Sequence, residues 1–169
     1  MMMDKVRPLI SQGKSLLIEG GAGVGKSHLT RLIISELEPG TLQSPAPTHA
    51  SCKQLPNCVT IHHWAHKVFR GGRIPKLSAK TKTIIIDEVG FLSIFLTTLL
   101  AEIQHVNIVR FILVGYILGQ FGSPCNYYHD TEITDLQISQ SGLLKSLSNG
   151  NTVRLYQCRR SCKELFDIY

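Results

Sequence analysis

Eight consecutive residues, Gly20-Gly21-Ala22-Gly23-Val24-Gly25-Lys26-Ser27, restrict the fold of this chain more than anything else in it. A β-prone apolar run, Ser15–Glu19, precedes them. After them Leu29, Ile33 and Leu37 recur every fourth residue until Pro39-Gly40. Strand, glycine-rich turn and amphipathic helix in that order form the setting in which G-x-x-x-x-G-K-[ST] wraps a phosphate. The glycines let backbone N–H groups close around the anion, and the helix N-terminus adds positive potential. Residues Gly20, Gly21, Ala22, Gly23, Val24, Gly25, Lys26, Ser27 and His28 are therefore the expected cradle for ATP. Lys26 is expected on the β- and γ-phosphates and the Ser27 hydroxyl on Mg²⁺.

The remaining pattern is of one kind. Short runs at Thr41–Ser44, Thr83–Asp87, Arg110–Val114 and Thr152–Tyr156 read as further strands. Between them, Thr60 is placed to cap a helix whose apolar positions are Ile61, Trp64, Ala65, Val68 and Phe69. Leu92, Phe95, Leu96, Leu99, Leu100 and Ile103 predict another apolar stripe. Strands alternating with helices predict an α/β fold, a parallel sheet flanked by helices in the manner of P-loop NTPases. Residues 122–151 show little periodicity, and Ser161 to Glu164 has the form of a capping box opening a helix. At 169 residues the chain fits one domain. Its five cysteines, odd in number and irregular in spacing, make a poor disulfide framework. With no apolar leader and no membrane-length apolar stretch, an intracellular protein (cytoplasm or nucleus) is expected, with no membrane partner.

Thr83-Ile84-Ile85-Ile86-Asp87-Glu88 is an apolar strand ending in two carboxylates. It is expected beside the strand that feeds the loop, with Asp87 in the Mg²⁺ shell and Glu88 orienting and deprotonating the attacking water. That chemistry is NTP hydrolysis. Net charge is +6, and its excess lies between Glu38 and Asp87. That window, residues 39–86, holds Lys53, Lys67, Arg70, Arg73, Lys76, Lys80, Lys82 and four histidines, with no acid. Such a segment attracts a polyanion by releasing counterions. Trp64 or His62 can offer a stacking face, although Trp64 lies on the apolar stripe and burial is its ordinary fate. Cys52, Cys58, His62 and His66 are an alternative metal set, with cysteine spacing wider than in usual zinc modules. Cys158 and Cys162 read as ordinary thiols.

The order of motifs resembles superfamily 1 DNA helicases, particularly the RecD-like, 5′→3′ branch. Gly20–Ser27 is followed by Ala46-Pro47-Thr48-His49-Ala50-Ser51, Thr60-Ile61-His62 and Ile85-Ile86-Asp87-Glu88. Phe111-Ile112-Leu113-Val114-Gly115 and Leu155-Tyr156-Gln157-Cys158-Arg159-Arg160-Ser161 continue it. The resemblance covers nearly the whole chain but only the first of that family's two RecA-like domains. It implies single-stranded DNA as partner, with RNA as an alternative, contacted by Pro47, Thr48, His49, Lys53 and His62. It implies catalytic roles for Lys26, Glu88 and Arg160, the last on the γ-phosphate.

The chain departs from that pattern in three places. Tyr116 stands where the resemblance implies an aspartate, and Gln120, a further γ-phosphate candidate, comes one position late. The glutamine-bearing adenine-recognition segment is not in its usual setting, Gln12 being a weak substitute. A second RecA-like domain is missing, so the expectation is an incomplete motor whose remainder lies in a further domain or a second chain. Strand unwinding by this chain alone is then not expected. Two alternatives stand beside the helicase reading: a degenerate P-loop module that binds ATP and nucleic acid without productive turnover, and a small P-loop nucleoside kinase.

Overall fold

A computed structural model describes residues 2–53, 55–69, 77–117, 127–128, 131–132, 137 and 140–157. Its strands are β1 (Leu16–Gly20), β2 (Leu42–Gln43), β3 (Pro45–Ala46), β4 (Val59–Thr60), β5 (Thr83–Ile86), β6 (Arg110–Gly115), β7 (Tyr127–Tyr128), β8 (Thr131–Glu132) and β9 (Thr152–Leu155). Its helices are α1 (Met2–Ser11), α2 (Lys26–Glu36), α3 (His49–Cys52), α4 (Ile61–Val68), α5 (Ile94–Val106) and α6 (Leu143–Leu147). The main sheet has the order β2-β5-β6-β1-β9, and every pairing in it is parallel. All five strands expected from the sequence are its members.

Side-chain alternation along these strands divides the core into two layers. Leu16, Ile18, Ile85, Ile112 and Val114 face one side and pack with Val6 and Ile10 of α1 and Leu29 and Ile33 of α2. Leu17, Ile84, Ile86, Phe111 and Leu113 face the other, against Ile61 and Trp64 of α4 and Leu96, Leu100 and Ile103 of α5. A sheet covered on both faces needs apolar residues at successive positions, hence runs such as Thr83–Ile86 rather than alternation. This is the expected α/β arrangement, a RecA-like P-loop fold.

Local signals fix the helix starts. Thr60 Oγ1 accepts from the His63 N–H at 3.4 Å, and Ser93 Oγ accepts from the Leu96 N–H at 3.2 Å. The expected stripe on α5 holds except at Phe95, which is 70% exposed. With Leu96, Leu100 and Ile103 defining the buried line, Phe95 falls about a quarter turn outside it. The helix α1 has no counterpart in the sequence reading, because Pro8 lies inside it and interrupts the helical pattern. It is tied down at its end by Arg110, whose guanidinium donates to the Ile10 carbonyl at 2.5 Å and to Thr83 Oγ1 at 2.7 Å. No helix among the described residues is long and apolar enough to cross a membrane. The helix expected near Leu165 lies outside the described residues.

One expectation about the sheet is overturned. The strand bearing Asp87 does not flank the strand that feeds the glycine loop; β6 lies between β5 and β1, paired in parallel to both. The Arg110–Val114 run therefore fills the middle of the sheet, and its C-terminal end emerges between the loop and the acidic pair. There Gly115 closes against the turn that follows Glu88. A Cβ on Gly115 would lie 2.8 Å from Val89 Cγ1 and 2.9 Å from the Val89 backbone nitrogen. Gly115→Ala is expected to lower unfolding stability by about 1–3 kcal/mol, as overpacking against backbone does. In a chain of this size that is ~2–4 °C of Tm per kcal/mol in a thermal melt; an unchanged Tm would show that the turn yields freely.

Candidate nucleotide and nucleic-acid site

The glycine loop leaves β1 at Gly20 and enters α2 through Gly25, whose φ of 94° lies in the left-handed region open to glycine. Val24, fully buried, pins the middle of the loop into the core. The N-cap of α2 has no side-chain hydrogen bond and its first turn has no acid, so its leading N–H groups face the loop with the helix dipole behind them. Lys26 Nζ donates to the Gly20 and Gly21 carbonyls, each at 2.7 Å. A phosphate entering the loop must offer the ammonium acceptors that replace these. Ser27 is half-buried on the first turn of α2, while Ala22 and His28 are exposed.

Asp87 sits at the C-terminal end of β5 and is only 3% exposed. Burial, with the neighbouring charge of Glu88, pushes its carboxyl pKa up, while the Glu88 backbone N–H and the positive charge of Lys26 pull it down. Parallel pairing of β5, β6 and β1 puts the acidic pair and the loop at the same edge of the sheet, on either side of the end of β6. Glu88 has a φ of 57°, left-handed backbone that a non-glycine residue adopts at a cost of about 1–3 kcal/mol. Its N–H donates to Asp87 Oδ1 at 3.0 Å, which fixes the two acids to one another. A half-buried hydroxyl and a buried carboxylate short of positive charge are hard oxygen donors suited to Mg²⁺. Ser27 and Asp87 thus fit the ion that the sequence assigns to them.

The segments expected to touch nucleic acid are also brought together. Strands β3 and β4 pair in parallel, Pro45 with Val59 and Ala46 with Thr60. That register sets side by side the strand ends that lead into Pro47-Thr48 and Ile61-His62, segments 14 residues apart in sequence. His49, Lys53 and His62 are exposed, and Pro47 and Thr48 half-buried. Thr48 Oγ1 caps α3, accepting from the Ser51 N–H at 3.1 Å, and shares a 2.9 Å hydrogen bond with Ser51 Oγ. When Ser51 donates, the Thr48 hydroxyl proton is available to a phosphate oxygen. Trp64 is 5% exposed and hydrogen-bonded to Gln43 Oε1 at 2.6 Å, a wall residue rather than a free stacking face.

The basic window is less uniform than its composition implies. Lys82 pairs with Glu38 at 2.5 Å, both largely exposed, which offsets one of its charges. Arg70, Arg73 and Lys76 lie outside the described residues, as do the catalytic candidates Gln120 and Arg160. Tyr116 is half-buried directly after Gly115. Among the described residues no three His, Cys, Asp or Glu side chains form a metal-binding group, so His62 and His66 do not join Cys52 and Cys58 in one.

The two thiols do come together, and this the sequence reading missed. Burial, a hydrogen bond with Cys52 and the negative charges of Cys52 and Asp87 push the Cys58 thiol up to about 12. Cys58 is thus a neutral thiol at physiological pH. Only the pairing of β3 with β4 reveals the meeting of the two thiols, and two-residue strands leave no periodic trace.

Loop, acidic pair and intervening strand define a RecA-like P-loop domain. No protein-family profile and no curated protein sequence matches the chain. Solved structures do. Over 99% of its length the chain is similar to 42% of the Pif1 helicase from Candida albicans, with a TM-score of 0.72 and 20% identity. It is similar over 98% of its length to 44% of Pif1 helicase from Bacteroides in complex with ADP-AlF3 and ssDNA, with a TM-score of 0.65 and 20% identity. Bacteroides sp Pif1 in complex with ADP-AlF4 gives a TM-score of 0.65 at 17% identity, over 99% of this chain and 44% of that one. The chain thus spans about two fifths of the length of these helicases and shares their fold. The likeness does not single out the RecD-like branch.

Asp87 also makes a prediction about stability. Its folded pKa lies above its unfolded value, so the folded chain binds the proton more tightly. Stability contributed by that proton is present at low pH and is lost as pH rises through the folded pKa. At neutral pH the buried charge is destabilising, and Asp87→Asn is expected to raise Tm in metal-free buffer at pH 7 but not at pH 3. Each kcal/mol relieved corresponds to ~2–4 °C. A lower Tm at pH 7 would show that Lys26 more than compensates the carboxylate.

Proposed function

We propose that this chain is the ATP-binding and ATP-hydrolysing domain of a superfamily 1 DNA helicase, acting with Mg²⁺ and on single-stranded DNA. The observation that carries this reading is that the glycine loop, with Lys26 folded onto its carbonyls, and the buried Asp87 stand at the same C-terminal edge of the parallel sheet, one strand apart. Lys26 exchanges the Gly20 and Gly21 carbonyls for β- and γ-phosphate oxygens, and the N–H groups opening α2 cradle the phosphates. Mg²⁺ held by Ser27 and Asp87 would neutralise charge on the phosphates. Glu88 orients the attacking water and takes its proton. Arg160 and Gln120 are assigned to the γ-phosphate by the resemblance; β9 pairs Leu155 with Gly20, so the segment leading to Arg160 leaves the sheet beside the loop.

The Pro47-Thr48 and Ile61-His62 segments, with His49 and Lys53, carry the strand contacts. Bacteroides Pif1 is solved in complex with ADP-AlF3 and ssDNA, which supports the same partners here. RNA shares the phosphate chemistry and remains the alternative polymer. Because the chain corresponds to 42% of the Candida albicans helicase, we assign duplex unwinding to an assembly that includes a further domain. A second reading, a module that holds ATP and nucleic acid without turnover, is favoured by Tyr116 at the end of β6, where the resemblance implies an aspartate.

Phosphate release by the purified chain separates the two. The hydrolytic reading expects Mg²⁺-dependent release that single-stranded DNA stimulates. It also expects Lys26→Ala and Glu88→Gln each to reduce release by about 100-fold or more, the scale of losing one electrostatic or acid–base group. ATP binding without release, with or without DNA, establishes the second reading; no ATP binding at all refutes both.

A further inference from the structure

A cavity of about 450 Å³ opens between β2 and α4, and none of its lining residues belongs to the glycine loop or the acidic pair. Its apolar wall includes Leu42, Val59, Trp64 and Leu77. Its polar lining includes Ser44, Asn57, His63 and Lys67, with no acid. The wall is held in place: Trp64 Nε1 donates to Gln43 Oε1 at 2.6 Å, and Gln43 Nε2 donates to Thr81 Oγ1 at 2.8 Å. Both groups are thereby satisfied. Ser44 is different. It is 5% exposed, and its Oγ is buried with no hydrogen-bond partner. A buried hydroxyl left unpaired is disfavoured and uncommon, so one lining a cavity points to a ligand's polar edge.

The rim supplies the other half of the recognition. His63 and Lys67 stand one turn apart on α4 and are both exposed, giving an ammonium and an imidazole on one flank. The volume lies in the usual range for small-molecule sites, and the lining mixes an apolar wall with a few placed polar groups. An apolar slot with a hydroxyl inside and a cation at its mouth suits a flat heteroaromatic group bearing an anion.

We propose that this cavity binds one nucleotide unit. The base lies against Leu42, Val59 and Trp64 with its polar edge on Ser44 Oγ, and its phosphate is held by Lys67 and His63. The nucleotide can come from a free nucleoside monophosphate or from a strand already bound along Thr48 and His62. Only the second source rests on the nucleic-acid reading above.

Trp64 is the only tryptophan in the chain, so its fluorescence reports occupancy directly. The full chain is titrated with the four common nucleoside 5′-monophosphates. In parallel it is titrated with a single-stranded oligonucleotide whose binding is read independently from the anisotropy of an end label. Saturable quenching is expected from at least one titrant, with affinity falling about tenfold in Lys67→Ala, the scale of one charge-assisted contact. Ser44→Ala, which removes a hydroxyl with no partner to lose, keeps the fold and weakens binding severalfold. Quenching persists in Lys26→Ala. Response to the monophosphates identifies a free ligand; response to the oligonucleotide alone identifies a strand nucleotide.

Anisotropy that rises while Trp64 stays silent to every titrant overturns the cavity and leaves the nucleic-acid reading standing. No response in either signal overturns both. Quenching that ignores Lys67→Ala and Ser44→Ala but vanishes in Lys26→Ala reports the glycine loop, and also overturns the proposal.

Discussion

A carboxylate taken out of water at the end of a strand covered on both faces is the constraint around which this domain is arranged. Asp87 is buried because β5 is buried, and β5 is buried because helices pack on both sides of the sheet. Charge in such a place needs compensation nearby. Lys26 provides part of it, and a divalent cation between Ser27 and Asp87 would provide more. β6 holds β5 one strand away from β1, and Gly115 at its C-terminal end lets the turn after Glu88 close against it.

The sequence showed the sheet clearly and its order poorly. Runs such as Thr83–Ile86 and Arg110–Val114 are legible because a strand buried on both faces has no polar position to interrupt it. Strand order is a property of pairing, and nothing in the Arg110–Val114 run declares that it will lie between two others. The glycine loop and the acidic pair were legible because their chemistry requires fixed residue types. The meeting of Cys52 with Cys58 was not, since it depends on the two-residue ladder between β3 and β4. Phe95 was misread because periodicity locates a stripe to within about one residue and cannot place its boundary.

Both α1 and α6 were also hidden, for different reasons. In α1, Pro8 disrupts the pattern although Met3, Val6 and Ile10 are buried. The five residues of α6 are too few to show a period; Leu144 and Leu147 are buried, and Gln104 of α5 donates to the Leu147 carbonyl at 2.9 Å. Trp64 gave the opposite lesson: its place on the apolar stripe outweighed its aromatic surface, and it is buried. The cavity it borders was invisible in the sequence because β2, α4 and the 77–78 segment meet only in three dimensions.

Val24 gives the loop a mechanical footing with an unexpected owner. It belongs to the same packed cluster as Met3, Val6 and Ile10, so the middle of the phosphate cradle and the helix α1 share one core layer. A helix that touches no ligand thereby acts as the bedplate of the nucleotide site. Slackening its grip on the sheet would loosen the layer in which the loop is seated.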